Sequence, residues 1–337
     1  QVIPHVVDEI KKRIYAAADD NEFLIIELGG TVGDIEGLPF MEAIRSIRHE
    51  LPKTNTMNIH LSLVPYIKAA GELKTKPTQH SVQELRRIGI TPHMLVCRTE
   101  KELPKNLKDK LALSCDIDRN AVIEAGDAQS IYQVPLQFIK EGILTPLSDH
   151  FNIKIKPNME KWDTLVKNIL IPQSEVTIAF VGKYLDLKES YKSLIEALIH
   201  SGAHLNTKVN IHWCDSERIE DVGAYDIIGN SDAILVAGGF GHRGVEGKLA
   251  AIKYARENKV PYLGICLGMQ LAIIEFARNV LGIEDANSIE FDADTKNPLI
   301  YLIDEFMDQS GNKQIRTHAS PMGGTMRLGE YPFEPLK

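Results

Sequence analysis

Short, uninterrupted apolar runs that stop at glycine, alternating with longer stretches of helical period, constrain this chain more than any other feature. "EFLIIELGG" (Glu22–Gly30), "VTIAFVG" (Val176–Gly182) and "DAILVAGG" (Asp232–Gly239) are such runs. An apolar run of this length, closed by glycine, reads as a strand buried on both faces, which is the habit of parallel sheets. "NIHLSLV" (Asn58–Val64), "HMLVC" (His93–Cys97), "KVNIHW" (Lys208–Trp213) and "PYLGIC" (Pro261–Cys266) extend the series. Helical patterns lie between them at "KESYKSLIEALIHSG" (Lys188–Gly202) and "EGKLAAIKYARENK" (Glu246–Lys259). Ser81 followed by Glu84 forms a capping box, predicting a helix that starts at "SVQELRRIG" and stops near Gly89.

Strands alternating with helices predict α/β architecture, with doubly wound parallel sheets that bind ligands beyond the carboxyl ends of their strands. The 337 residues suffice for two domains. The pattern loosens between Asp149 and Gln173, where prolines and mixed charge replace periodicity. The division is therefore 1–150 for a first domain, 151–173 for a linker with room for one short helix, and 174–337 for a second domain.

Other classes are disfavoured on simple grounds. A net charge of -8 argues against a broad footprint for nucleic acid. No run approaches the length of a membrane span, and the first residues lack the basic start and apolar core of a signal peptide. Cys97, Cys115, Cys214 and Cys266 are widely spaced with no C-x-x-C pair, which suits a reducing cytosol better than a disulfide framework or a zinc site.

Cys266 stands apart. It lies between an apolar strand-like run and a helix-like run, in "GICLG" (Gly264–Gly268). A free cysteine is among the most buried residue types and is commonly a small hydrophobe. The G-x-C-x-G pattern instead matches a nucleophile elbow, whose tight strand-to-helix turn pushes the side chain clear of the sheet. The helix N-terminus there favours a thiolate and offers N–H groups to an oxyanion, and Gly239 at the end of the neighbouring run is placed to add another. A base is required as well. His242 lies in the adjacent loop and His318 further on; spacing alone makes neither a partner, and each also reads as a loop residue.

"GFGHRG" (Gly239–Gly244) competes for attention, because it matches G-x-G-x-x-G between a strand and a helix. A nicotinamide-binding oxidoreductase would need an acid at the end of the next strand, and that strand ends at Cys266. The segment also fails as a P-loop, since Leu249 follows Gly247-Lys248 where Ser or Thr is required. Three readings stay open on these residues alone: a cysteine hydrolase with a mobile glycine loop, an oxidoreductase, and a binding module whose Cys266 only packs.

"GGFGHRGVEGK", "PYLGICLGMQLAIIEFARNV", "ANSIEF" and "MGGTMRLG" resemble the glutaminase half of the CTP synthase family. "ELGGTVGDIEGLPFMEAIR" and "GELKTKPTQHSVQELR" resemble its synthetase half, so the likeness spans nearly the whole chain. The resemblance implies ATP-dependent amination of UTP to CTP, with ammonia released from glutamine. It implies a P-loop-type synthetase domain and a flavodoxin-like class I glutaminase domain. Cys266 would be the nucleophile, and Gly239, Leu267, Gly268, Met269, Gln270 and Glu290 would hold glutamine. Arg243, Gly244 and Glu246 would belong to a lid at which GTP activates. Lys74, Thr75, Lys76, Pro77, Thr78, Gln79 and Lys110 would bind UTP, with CTP competing. Asp34, Ile35 and Glu36 would recognise inhibitory CTP, and Asp127 and Ala128 would contact ATP. Glu27 would bind Mg²⁺, and the assembly would be a homotetramer in the cytoplasm.

The pattern departs from the family in two places. The family's phosphate-binding loop and a second metal carboxylate are expected before residue 1, and the His and Glu of the triad in an H-P-E stretch after Lys337. Neither G-x-x-x-x-G-K-[ST] nor "HPE" occurs in the chain. The chain is therefore expected to lack both ends of the family's length and to be inactive in either half-reaction alone.

Overall fold

The computed structural model describes residues 1–183, 189–301, 305–307 and 313–315. The chain divides into two compact units, Gln1–Leu170 and Ile171–Lys337, each α/β.

The first unit begins with helices α1 (Val7–Ala18) and α2 (Leu38–Glu50). Strand β1 (Ile59–Leu63) follows, then a small antiparallel hairpin of β2 (Tyr66–Ile67) and β3 (Glu72–Leu73). Helix α3 (Lys76–Arg87), β4 (Met94–Arg98), α4 (Lys105–Cys115) and β5 (Val122–Ala125) come next. Helices α5 (Val134–Lys140), α6 (Leu144–Phe151) and α7 (Glu160–Leu170) complete the unit. The sheet is parallel in the order β1-β4-β5, with Leu61 opposite Val96 and Val96 opposite Ile123. All five residues Met94–Cys97 and Val122 are buried, so β4 is an apolar run because helices cover both of its faces.

Two sequence expectations change here. Residues 22–30 form no strand. Ile25 is 93% exposed, and Phe23, Leu24 and Ile26 are also exposed. An apolar run becomes a strand only when a neighbouring strand takes up its N–H and C=O groups, and β1 pairs with β4 alone among the described residues. Helix α3, for its part, starts at Lys76 rather than Ser81, with Pro77 in its first turn. Proline's fixed φ initiates a helix at no cost in hydrogen bonding, and Ser81, now mid-helix, bonds His60 Nε2 at 2.9 Å instead of capping. The end is as expected: Gly89 has φ +89° just past Arg87.

The second unit runs β6 (Ser174–Gly182), α8 (Lys192–His204), β7 (Thr207–Asp215), α9 (Ser216–Val222), α10 (Ala224–Ile228) and β8 (Ala233–Val236). It continues with α11 (Val245–Glu257), β9 (Tyr262–Gly264), α12 (Leu267–Asn279) and the short parallel pair β10 (Ala286–Ser288) and β11 (Asn297–Ile300). The four-stranded sheet is parallel in the order β7-β6-β8-β9. In chain order this is 2-1-3-4, the flavodoxin-like winding. Leu249, Ile252, Leu271 and Ile274 cover one face, while Phe180, Leu235 and Tyr191 pack on the other. The carboxyl ends of β6, β8 and β9 therefore open beside one another, at Lys183, Ala237 and Ile265.

Candidate active site

Cys266 occupies the junction of β9 and α12 with φ +53° and ψ -109°, a strained conformation for a residue with a Cβ. Close packing on either side imposes it. A Cβ on Gly268 would stand 2.2 Å from the Val236 carbonyl oxygen, and one on Gly264 would stand 2.6 Å from Gly268 C. The first turn of α12 thus presses directly on the sheet, and only glycine permits it. Tyr262 donates its hydroxyl to the Gly268 carbonyl at 2.7 Å, and burial raises its pKa so that it stays a donor. Buried Glu275 of α12 takes both Nε and Nη2 of Arg256 on α11, at 3.1 and 2.8 Å, locking the two helices together.

The result is one exposed thiol among four. Cys97, Cys115 and Cys214 are buried, and burial pushes the Cys97 and Cys214 thiols up to about 12. Cys266 is exposed. Leu267 N–H, first in α12, has no carbonyl of its own helix to bind. The Gly238–Gly239 turn lies alongside, close enough that a Cβ on Gly238 would be 3.8 Å from Cys266 Sγ.

Two lysines hold that turn. Lys248 of α11 donates to the Ala237 carbonyl at 3.0 Å, and Lys183, just past β6, donates to the Phe240 carbonyl. The other side of the Phe240–Gly241 peptide is also fixed, since Gly241 N–H donates to Glu290 Oε1 at 2.8 Å. Glu290 therefore reaches the loop beside Cys266, with one oxygen already engaged.

The remainder of the glycine-rich loop is explained by packing. A Cβ on Gly244 would stand 2.2 Å from Ser216 Oγ, and one on Gly247 would stand 1.8 Å from the Ser216 carbonyl oxygen. Helix α9 lies directly against this segment. Its Glu217 pairs with Arg243 at 2.8 Å, and its Glu220 accepts from Gly247 N–H at 3.1 Å. Glu246 approaches Arg278 at 3.6 Å. His242 is exposed and packs edge-on against Phe291, with ring centres 5.6 Å apart. His318 and the "MGGTMRLG" segment lie outside the described residues. Of the expected glutamine-site residues, Met269 is exposed, Gln270 half-buried, and Leu267 and Gly268 buried.

In the first unit, "KTKPTQ" divides into inward and outward residues. Thr75, Thr78 and Gln79 are buried. Thr78 Oγ1 donates to the Leu63 carbonyl at 3.1 Å, which pins α3 to β1, and Gln79 donates to Thr75 at 3.2 Å at the helix's own start. Lys76 and Pro77 are exposed, and Lys74 pairs with Glu72. Lys110 on α4 also acts on Glu72, whose carboxyl is held low mainly by Lys74. Lys74 and Lys110 thus both act on Glu72. Asp34 accepts from Thr31 N–H at 3.1 Å in an exposed turn that carries Ile35 and Glu36. Asp127, with Ala128 next to it, pairs with Arg98 beyond β5. It lines a cavity of about 300 Å³ with Lys101, Glu124 and Lys140 at the carboxyl ends of β4 and β5. Glu27 is exposed in the 22–30 segment. One carboxylate falls short of a divalent-cation site, and no group of three or more His, Cys, Asp or Glu converges among the described residues.

Sequence reasoning overlooked Lys183, Lys248, Glu217 and Glu220. Lys248 carried a signal, because it occupies a core position of a helical period whose other members are Val245, Leu249 and Ile252. A lysine there is either mispatterned or engaged.

A parallel sheet wound 2-1-3-4, with an exposed cysteine on a strained strand–helix turn at its carboxyl edge, is a flavodoxin-like α/β domain. Residues 186–334 match the family model for class-I glutamine amidotransferases, and residues 1–153 match that for the CTP synthase N-terminus. The chain belongs to the CTP synthase family. It is 68% identical over 335 residues to CTP synthase of Nautilia profundicola, covering 98% of this chain and 62% of that protein. It is 68% identical over 332 residues to that of Wolinella succinogenes, covering 98% and 60%. The Sulfurimonas denitrificans enzyme is 64% identical over 338 residues, covering 100% and 62%. The chain thus spans about three fifths of the length of these relatives. A solved Trypanosoma brucei CTPS glutaminase domain with bound acivicin is 43% identical over 38% of this chain and 50% of that one, with a TM-score of 0.37.

Proposed function

We propose that the chain contributes to ATP-dependent amination of UTP to CTP, with ammonia supplied by glutamine hydrolysis at Cys266. The observation that carries this reading is the exposed thiol of Cys266 on the strained turn, beside the Gly238–Gly239 loop and the first N–H of α12. The thiolate attacks the carboxamide carbon of glutamine, and the developing oxyanion lies within reach of the Leu267 and Gly239 N–H groups. Collapse, with the proton shed by the thiol delivered to the leaving nitrogen, expels ammonia and leaves a glutamyl thioester, which water hydrolyses to glutamate and the free thiol. Met269, Gln270, the free oxygen of Glu290 and the Gly239 loop line the substrate's path, with Glu290 suited to the α-ammonium.

Residues 1–150 act as the synthetase, 151–173 as linker and 174–337 as glutaminase. Lys74, Lys76 and Lys110 supply positive charge for the UTP phosphates, while Thr75, Thr78 and Gln79 hold the segment in place. Asp34–Glu36 serve inhibitory CTP, Asp127 and Ala128 serve ATP, and Arg243, Gly244 and Glu246 serve activation by GTP. Mg²⁺ accompanies ATP in the family, but Glu27 alone does not make its site. A cytoplasmic homotetramer is the proposed setting. Support for the nucleotide assignments comes from the CTP synthase N-terminal match over 1–153 and from relatives named CTP synthase.

A glutamine analogue carrying an electrophile at the amide carbon is expected to label Cys266 alone, read by peptide mass spectrometry, and Cys266→Ala should abolish labelling. In a protein carrying the relatives' full length, the same substitution should eliminate glutamine-dependent CTP formation and spare ammonia-dependent formation. Loss of both in a folded variant would refute the assignment.

A further inference from the structure

Lys248 is 0% exposed, yet a backbone carbonyl is its hydrogen-bond partner and no carboxylate pairs with it among the described residues. A buried ammonium without an opposite charge is costly, because one carbonyl does not replace its hydration. Its position explains the exception. The ammonium points from α11 under the Ala237–Gly239 turn, 3.5 Å from where a Gly239 Cβ would stand, and a Cβ on Gly238 in the same turn would stand 3.8 Å from Cys266 Sγ.

We propose that Lys248 is a positioning residue for glutamine hydrolysis: it holds the Ala237 carbonyl, and with it the Gly238–Gly239 turn, and its charge favours the Cys266 thiolate. The proposal rests on reading Cys266 as the nucleophile. Lys248 takes no proton in this scheme, since it is already the donor to Ala237; the thiol proton leaves to the base or to water.

The charged groups around it fix the expected pH behaviour. Lys183, past β6, opposes the Lys248 charge and is itself faced by Arg243, Glu290 and Glu217. Glu246, on the same helix, is exposed and turned to Arg278. Burial first, then Lys183, brings Lys248 down to about 8, while Cys266 acts in the other direction. The cation is therefore present below pH 8 and lost above it.

The test is the rate of Cys266 carboxamidomethylation by iodoacetamide in the 337-residue chain, followed peptide by peptide from pH 6 to 10. Lys248→Met is expected to slow the reaction roughly three- to tenfold at pH 7, with the difference closing above about pH 9. Lys248→Arg, which keeps its charge throughout, should retain the wild-type rate at pH 7. Equal rates for Lys248→Met and wild type at pH 7 would overturn the proposal. So would a constant slowing from pH 7 to 10, the mark of a merely structural role. If Lys248→Met shows no cooperative melting, the Arg variant decides, and a slow rate at pH 7 in a folded Arg protein counts against the charge. Failure of the glutaminase reading is separable: the glutamine analogue would not label wild-type Cys266, while the iodoacetamide comparison would still report on Lys248.

Discussion

At the scale of single residues, the site depends on absent side chains as much as on present ones. Gly268 lets α12 touch β8, and that contact holds Cys266 at φ +53°. Replacing Gly268 by Ala would drive a methyl to 2.2 Å from the Val236 carbonyl oxygen, a backbone atom that cannot rotate away. The expected cost is about 3 kcal/mol, the upper end for overpacking, together with loss of selective Cys266 labelling as the helix lifts. Gly37→Ala is the control. Its φ is -81° and a Cβ there meets open space, so its effect should stay within about 0.5 kcal/mol. Urea unfolding followed by circular dichroism compares the two. The elbow itself was legible, because G-x-C-x-G states both the nucleophile and the glycines. The lysine behind it was less so: its meaning depends on a carbonyl eleven residues earlier in sequence, which only folding brings to its ammonium.

Between elements, the sequence spoke clearly where a pattern was local and weakly where pairing was remote. "HMLVC" announced β4 because every one of its apolar residues is buried by helices. The start of α3 was misplaced because a Ser81–Glu84 capping box competes with Pro77, and the decisive fact is a bond from Ser81 to His60 on another element. A second remote pairing makes a prediction about pH. His93, just before β4, accepts from Asn58 N–H at 3.0 Å and meets His150 of α6 edge-on, with ring centres 4.6 Å apart. Burial, reinforced by His150 and Arg48, lowers His93 to about 4 from an ordinary 6.5. A histidine depressed in this way binds fewer protons folded than unfolded, so stability rises with pH from about 4 to about 6.5 and is lost as pH falls through that window. His93→Gln should flatten the pH dependence of the urea midpoint over this range and leave it unchanged above pH 7. An unaltered slope would show that other groups carry the acid sensitivity.

For the molecule as a whole, the least legible segment is the one whose composition looked plainest. "EFLIIELGG" has all the apolar content of a buried strand, but strand formation is a property of pairs, and composition cannot name the partner. In this chain the run lies open, with Phe23 resting edge-on against Phe151 and Ile25 fully displayed. The edge strand β1 adds Ile59, Leu61 and Leu63, with Leu61 67% exposed, and its outer N–H and C=O groups have no strand beside them among the described residues. An exposed apolar edge of this kind templates association with another chain. The net charge of -8 keeps molecules apart at low ionic strength, and salt screens that repulsion over a distance of about 10 Å at 0.1 M. Light scattering should therefore show self-association that increases with salt. Leu61→Lys places a charge on the edge without removing a buried contact, so it should suppress association while shifting stability by about 0.5 kcal/mol or less. The equivalent change at Val96, which is buried opposite Leu61 in the ladder, should unfold the unit instead. If Leu61→Lys associates as readily as wild type, the edge is not the contact surface, and the exposed Phe23–Ile26 run becomes the next segment to charge.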